Sequence, residues 1–316
     1  MRITNKSMNI NLLRNLNQGL KRYDRLSEQL VSRRKVHRPS DSPATISNIM
    51  DLNSSLIETE QYLRGAADAQ SWLESTDSAL DSLTNVLHRL RDIITMGAND
   101  TQDDAARFAL AQEAEQLFDS IIQLGNSTHG SKYIFAGQLT TVKPFVRESD
   151  DPNSAQYFDV IYQGGYRTAT GDLAKVEFEV STNSYLTVNV ADAEEVGDVV
   201  EERLFTPILN LIKEVRENLI NNNVTDLSNQ NLGDLEQTLD RVLRHRADVG
   251  ARMARADLAE ERLQDLRLNF NKLLKNVQGV DYAETIMQLK NEEHIYRTAL
   301  SVGARILQPS LVDFLR

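Results

Sequence analysis

The feature that most constrains this 316-residue chain is a seven-residue repeat near its C-terminus. Steps of three and four from Ile286 reach Leu289, Glu293, Tyr296, Leu300, Gly303 and Leu307, and five of these seven positions are apolar. A helix over 282–307 is on the order of 35 Å long. A stripe so narrow does not enclose a core by itself; it closes against another helix. A matching stripe lies at the opposite end of the chain, at Leu13, Leu16, Leu20, Tyr23, Ser27 and Leu30. The two ends are therefore expected to pair and to carry everything between them.

Charge separates the same end from the rest. Residues 1–40 contain ten Lys/Arg against Asp24 and Glu28, a local +8 inside a chain of net charge −11. A basic amphipathic N-terminus fits a targeting peptide, a membrane-surface helix or one strand of an assembly. Only the assembly reading also explains the distant heptad, and the apolar h-region of a cleaved secretory signal is missing. With 41% apolar residues the chain can build real cores, and no apolar run reaches the ~18 residues of a membrane span. Cysteine is absent, which removes disulfides, thiolate catalysis and thiolate metal sites together.

Between the ends the periodicity stays mostly helical. A first helix is expected from about Asn9 to Val36, stopping before Arg38-Pro39 because the residue preceding proline is pushed out of helical geometry. Ser42 then reads as an N-cap with Pro43 at the first helical position. Leu73, Leu80, Leu87 and Ile94 recur at seven within a helix over about 44–96, and a second helix over about 103–127 returns antiparallel to it. Nine of the nineteen aromatic residues fall between Tyr133 and Tyr185, where alternation at 157–162, 175–180 and 185–190 predicts strands and Gly164-Gly165 a hairpin turn. Helix is expected again from about Glu194, broken at Thr206-Pro207, and then from about 229 to 277, with Gly279 as the break before the last helix. The fold class is mainly α: a long-helix bundle with paired terminal coiled-coil helices and a small inserted β-rich domain. Its domains are 1–40 with 280–316, 41–132 with 194–279, and an outlying lobe at 133–193.

No catalytic constellation emerges. A carboxylate-bridged di-iron bundle needs Glu three residues before His, and the residues three before the five histidines are Arg34, Asn85, Asn126, Val242 and Asn291. Residues 125–132 imitate a phosphate loop but reverse its final Lys and Ser and follow a helix rather than a strand. The basic run at 33–38 has no interleaved aromatic residues, and the chain is acidic overall, which argues against nucleic acid. Catalytic residues, cofactors and metals are not assigned, and neither a membrane nor nucleic acid is expected as a partner.

Three stretches resemble the flagellin superfamily in order along the chain. They are Glu28-Gln29-Leu30 through Lys35 with Pro39-Ser40-Asp41-Ser42-Pro43, then Leu239-Asp240-Arg241-Val242 with Arg246-Ala247-Asp248-Val249-Gly250-Ala251-Arg252, and finally Ile306-Leu307-Gln308-Pro309-Ser310-Leu311 with Phe314-Leu315. The proline-bounded turn at 39–43, and Tyr133-Ile134-Phe135-Ala136-Gly137 followed by Thr141 and Pro144-Phe145, tilt the resemblance toward hook–filament junction subunits rather than filament-forming flagellins. Two departures stand out: Ser32-Arg33 where the family commonly has Ser-Gly, and Ser42 where an acidic residue is usual. The resemblance implies an extracellular structural subunit without enzymatic activity, exported unfolded through the flagellar type III apparatus. It implies terminal helices that order on assembly, a cytoplasmic export chaperone at the C-terminal helix, hook-associated protein 1 on one side and flagellin on the other, and self-association in the junction ring. The alternative is a flagellin that forms the filament itself. The expected assembly interface comprises Leu13, Leu16, Leu20, Tyr23, Leu30, Ile286, Leu289, Tyr296, Leu300, Leu307, Leu311 and Phe314.

Overall fold

The computed structural model describes residues 5–99, 102–149, 151, 154, 156–164, 175–190, 194–196, 199–202 and 204–307. Among these residues seven α-helices carry the fold: α1 (Asn5–Ser32), α2 (Pro43–Gly97), α3 (Asp104–Gly125), α4 (Phe205–Ile220), α5 (Val224–Asp226), α6 (Leu232–Gln278) and α7 (Tyr282–Leu307). A π-helical turn, Leu227–Asn231, leads into α6. The strands form four antiparallel pairs: β1 (Thr128–His129) with β2 (Lys132–Tyr133), β3 (Phe145–Arg147) with β4 (Val160–Tyr162), β5 (Glu177–Ser181) with β6 (Ser184–Thr187), and β7 (Glu194–Val196) with β8 (Val199–Glu202). The chain divides into two compact units, Met1–Glu58 with Asp265–Arg316 (unit 1) and Thr59–Gln264 (unit 2); α2 and α6 contribute residues to both.

Unit 2 is organised around one apolar core. The heptad leucines Leu73, Leu80 and Leu87 with Ile94 are fully buried, joined by Phe118 and Ile121 of α3 and by Ile208, Ile212 and Val215 of α4. Asp103 caps α3 by accepting from the backbone N–H of Ala106 at 2.8 Å, as its position before an apolar-periodic segment requires. The β-rich segment does not close a lobe of its own. Pairs of strands two to five residues long bury too little to stand alone, and Phe135, Phe145, Val180, Leu186 and Val188 enter the helical core instead. Phe205 at the start of α4 takes Phe135 and Phe145 at ring-centroid distances of 4.8 and 5.0 Å.

Two further expectations are corrected. Glu194–Val196 and Val199–Glu202 are strands where helix was expected, and the helix begins at Phe205. Pro207 does not break it, because it sits in the first turn, where backbone N–H groups have no intrahelical acceptor to lose. The Gly164-Gly165 turn lies partly outside the described residues.

In unit 1, α1 stops at Ser32 rather than near Val36. Arg33 adopts φ +62°, the left-handed conformation that glycine takes at helix ends, so the departure from Ser-Gly falls where it costs conformational energy. The chain then crosses the connection between α6 and α7: the N–H of Lys35 donates to Gln278 O at 2.8 Å, and Arg34 bridges Gly279 in antiparallel fashion. Asp41 closes the turn by accepting from the N–H groups of Arg38 (3.1 Å) and His37 (3.3 Å). These backbone donors, Arg38 first, hold its carboxyl below the usual carboxylate range. Gly279 is required, because a Cβ there would lie 2.3 Å from Lys275 O.

Candidate assembly interface

Within unit 1, α1 and α7 lie against each other with opposite chain directions. Leu12 meets Gly303 near one end, Arg22 meets Glu292 in the middle, and Arg34 bridges Gly279 beyond the other end. The covered positions include Leu12, Leu16, Gly19, Tyr23, Leu26 and Leu30 on α1 and Thr285, Leu289, Glu292, Tyr296, Ala299 and Gly303 on α7, with Ser27, Gln29 and Glu293 half-covered beside them. Both sets step by four and three in alternation, the heptad pattern of a coiled-coil seam. Glycines at Gly19 and Gly303 let the helices approach; a Cβ at Gly303 would come within 2.7 Å of Leu12 Cδ2. Arg22 reaches both carboxylate oxygens of Glu292, at 2.9 and 3.2 Å. That contact raises the Arg22 pKa, the hydrogen bond contributing more than the charge.

The sequence stripe thus combines two registers. Leu16, Tyr23, Leu30, Leu289 and Tyr296 belong to the intrachain seam. Leu13, Leu20, Ile286 and Leu300 do not: each is exposed, Leu13 to 59%. Apolarity alone favoured Leu13 and Leu20 over their neighbours Leu12 and Gly19, because periodicity scores a glycine as a gap although a close helix crossing needs one. Leu307 ends α7, and Leu311 and Phe314 lie outside the described residues.

The exposed positions form faces of their own. Ile10, Leu13, Leu20 and Val31 lie on one side of α1, turned away from its covered seam, while Tyr282, Ile286, Met287, Ile295, Leu300 and Val302 are exposed on α7. Sequence reasoning missed Ile10, Val31, Tyr282, Met287, Ile295 and Val302, apolar residues that stand off the main stripe of each helix. Glu293 on α7 holds Lys290 at 2.9 Å and Arg297 at 2.5 Å, and these cations, Lys290 first, keep its carboxyl below the usual range. Among the described residues no group of three or more His, Cys, Asp or Glu is arranged to hold a metal ion, and no described helix is long and apolar enough to cross a membrane.

Comparison with known proteins bears on the whole arrangement. Residues 3–140 match the bacterial flagellin N-terminal helical region and residues 232–315 the bacterial flagellin C-terminal helical region. The chain belongs to the flagellin family. It is 24% identical over 298 residues to flagellar hook-associated protein 3 of Salmonella typhimurium, covering 90% of each chain. A solved structure described as a putative flagellar hook-associated protein from Vibrio parahaemolyticus superposes with a TM-score of 0.60 at 21% identity, over 76% of this chain and 100% of that one. Flagellar hook-associated protein 3 from Legionella pneumophila gives 0.59 at 15% identity, over 72% and 98%. The two matched family regions contain α1 and α7, whose seam is described above.

Proposed function

We propose that this chain is a structural subunit of the bacterial flagellum at the hook–filament junction, joining hook-associated protein 1 to flagellin. The observation that carries the reading is the exposed apolar surface that α1 and α7 keep outside their seam. Ten of the twenty-four exposed large apolar residues among those described lie on these two helices, and the intrachain seam uses none of them. A paired-helix element that keeps such a surface uncovered is built to be covered by neighbours. Identity to hook-associated protein 3 is 24% over nine-tenths of both chains, against 20% and 22% for two flagellins matched over a similar span, which favours the junction role over a filament role. In this reading Leu13, Leu20, Ile286 and Leu300 contact neighbouring copies, while Leu16, Tyr23, Leu30, Leu289 and Tyr296 hold the pair together. Export to the cell exterior, with a chaperone guarding the C-terminal helix, belongs to the same reading.

A strain lacking this chain separates the junction role from the filament role. Flagellin is expected in the culture medium above bare hooks, because an adaptor makes heterologous contacts that another protein completes. Retained filaments in that strain, or long filaments grown from the purified chain alone, would overturn the junction assignment.

A further inference from the structure

One cavity in unit 2 belongs neither to the helix seam nor to the apolar surface assigned to assembly. Its volume is about 540 Å³, within the range of small-molecule sites, and its walls come from α2, the β1–β2 hairpin, the loop after it and β5 with the two residues before that strand. Trp72, the single tryptophan of the chain, lies on it 3% exposed, and its indole N–H has no acceptor among the described residues. A buried N–H in that state costs free energy until an acceptor meets it. His129 stands beside the indole, with ring centroids 5.6 Å apart. Ser75 gives its one hydroxyl proton to Ser71 O, so its 2.9 Å contact with His129 Nδ1 makes that nitrogen the donor and leaves Nε2 of the neutral ring with a free lone pair. The wall therefore holds a donor and an acceptor in neighbouring rings.

The rest of the lining chooses the ligand. His129 and Lys132 stand directly opposite each other in the β1–β2 pair, so their side chains share one face of the hairpin. Lys175 brings a second ammonium group to the cavity. Both lysines are exposed and neither meets a carboxylate among the described residues, which favours one anionic group between them. Asp68 lies on the same cavity, exposed and equally without a cation among the described residues. Its charge opposes a phosphate or a polyanion, while its oxygens accept from hydroxyl groups, for which Ser131, Gln138 and Thr140 are further partners. Val176 and Phe178, two residues apart and so on one side of the extended chain, add an apolar wall. We infer that the cavity binds a uronic acid: a sugar ring whose single carboxylate meets Lys132 and Lys175, whose hydroxyls meet Asp68 and the Trp72–His129 pair, and whose C–H face lies on Phe178. The stretch that imitates a phosphate loop thus uses its last four residues without a phosphate. The inference goes beyond the junction role and does not rest on it.

A single tryptophan on the cavity wall makes the test direct. The purified full-length chain is titrated with glucuronate and with galacturonate while tryptophan fluorescence and the heat of binding are followed. A saturable change in both signals is expected with at least one uronate, at concentrations where glucose and acetate give none. Lys132→Gln/Lys175→Gln should weaken binding roughly tenfold or more through the loss of charge-assisted hydrogen bonds. Its thermal unfolding should not move, because both side chains are exposed. Asp68→Ala should weaken binding as well; tighter binding would show that Asp68 only repels an anion, and would overturn the sugar. An equal response to acetate would mean an adventitious ion only, and an equal response to glucose would remove the role of the lysines. Either result overturns the inference, as does heat without a fluorescence change or no saturable signal with either uronate. No hook or flagellin enters the assay, so a failed junction assignment leaves its result readable.

Discussion

The two units solve opposite problems with similar helices. Among the described residues unit 2 buries 37 apolar side chains, whereas unit 1 buries only Val36 and Ile49. Exposure runs the other way: fifteen of the twenty-four exposed large apolar residues belong to unit 1, which holds about a third of the chain. Charge divides along the same line, with 17 Lys/Arg and 11 Asp/Glu in unit 1 against 18 and 35 in unit 2. Unit 2 has the burial of an autonomous domain. Unit 1 has seams enough for a helix pair and an apolar surplus that its own interior does not absorb.

This contrast predicts where a substitution is felt. Phe205→Ala, in the aromatic cluster of unit 2, should cost about 3–5 kcal/mol in urea unfolding followed by circular dichroism. A loss below about 1 kcal/mol would mean that the cluster is not central to the core. Gly303→Val should weaken the α1–α7 pair by about 1–3 kcal/mol, because the new side chain collides with Leu12. Amide exchange should quicken along both helices and stay unchanged over 66–94; equal quickening in unit 2 would contradict separate stabilities.

Smaller effects sharpen the picture at the turn between α1 and α2. Arg33→Gly relieves the left-handed residue and should stabilise unit 1 by about 0.5–1 kcal/mol, the gain at φ +62° being partly offset by the freer unfolded chain. Slower amide exchange near residues 28–38 would show it. Acid should act at the same turn and on α7. The Asp41 and Glu293 pKa values are both lowered in the folded chain, so their contributions are present above the unfolded carboxylate values and fade as pH falls through the folded ones. The protection factors of the His37 and Arg38 amides, taken against the intrinsic exchange rate at each pH, should therefore fall below about pH 4 and stay flat between pH 6 and 8; a change confined to the neutral range would implicate another group.

Much of this was legible in the sequence, and each failure has its own physical cause. Helices with strong period and a clear start, such as α2 at Pro43 and α3 after Asp103, begin where the residues say they should. The terminal pairing was legible too, but its register was not. Leu12 beside Leu13 and Gly19 beside Leu20 allow two stripes one residue apart, and the choice depends on how closely two backbones pack. The strands at 194–202 were missed because Glu-rich segments with scattered valines resemble a polar helix. The shared core of the β segment was hidden for a different reason: short strands look alike in sequence whether they pack on one another or on helices.

The most direct test of the central claim, that the exposed apolar surface of α1 and α7 is completed by neighbouring copies, is the amount of a Leu13→Asp/Leu300→Asp chain on isolated flagella. Both side chains are exposed in the free subunit, so thermal unfolding should shift little, with each change worth about 0.5 kcal/mol or less. In an assembly the same carboxylates would be buried without partners, at several kcal/mol. The account predicts a folded, exported protein that accumulates in the medium and is missing from the flagella. Incorporation at the wild-type level would contradict it.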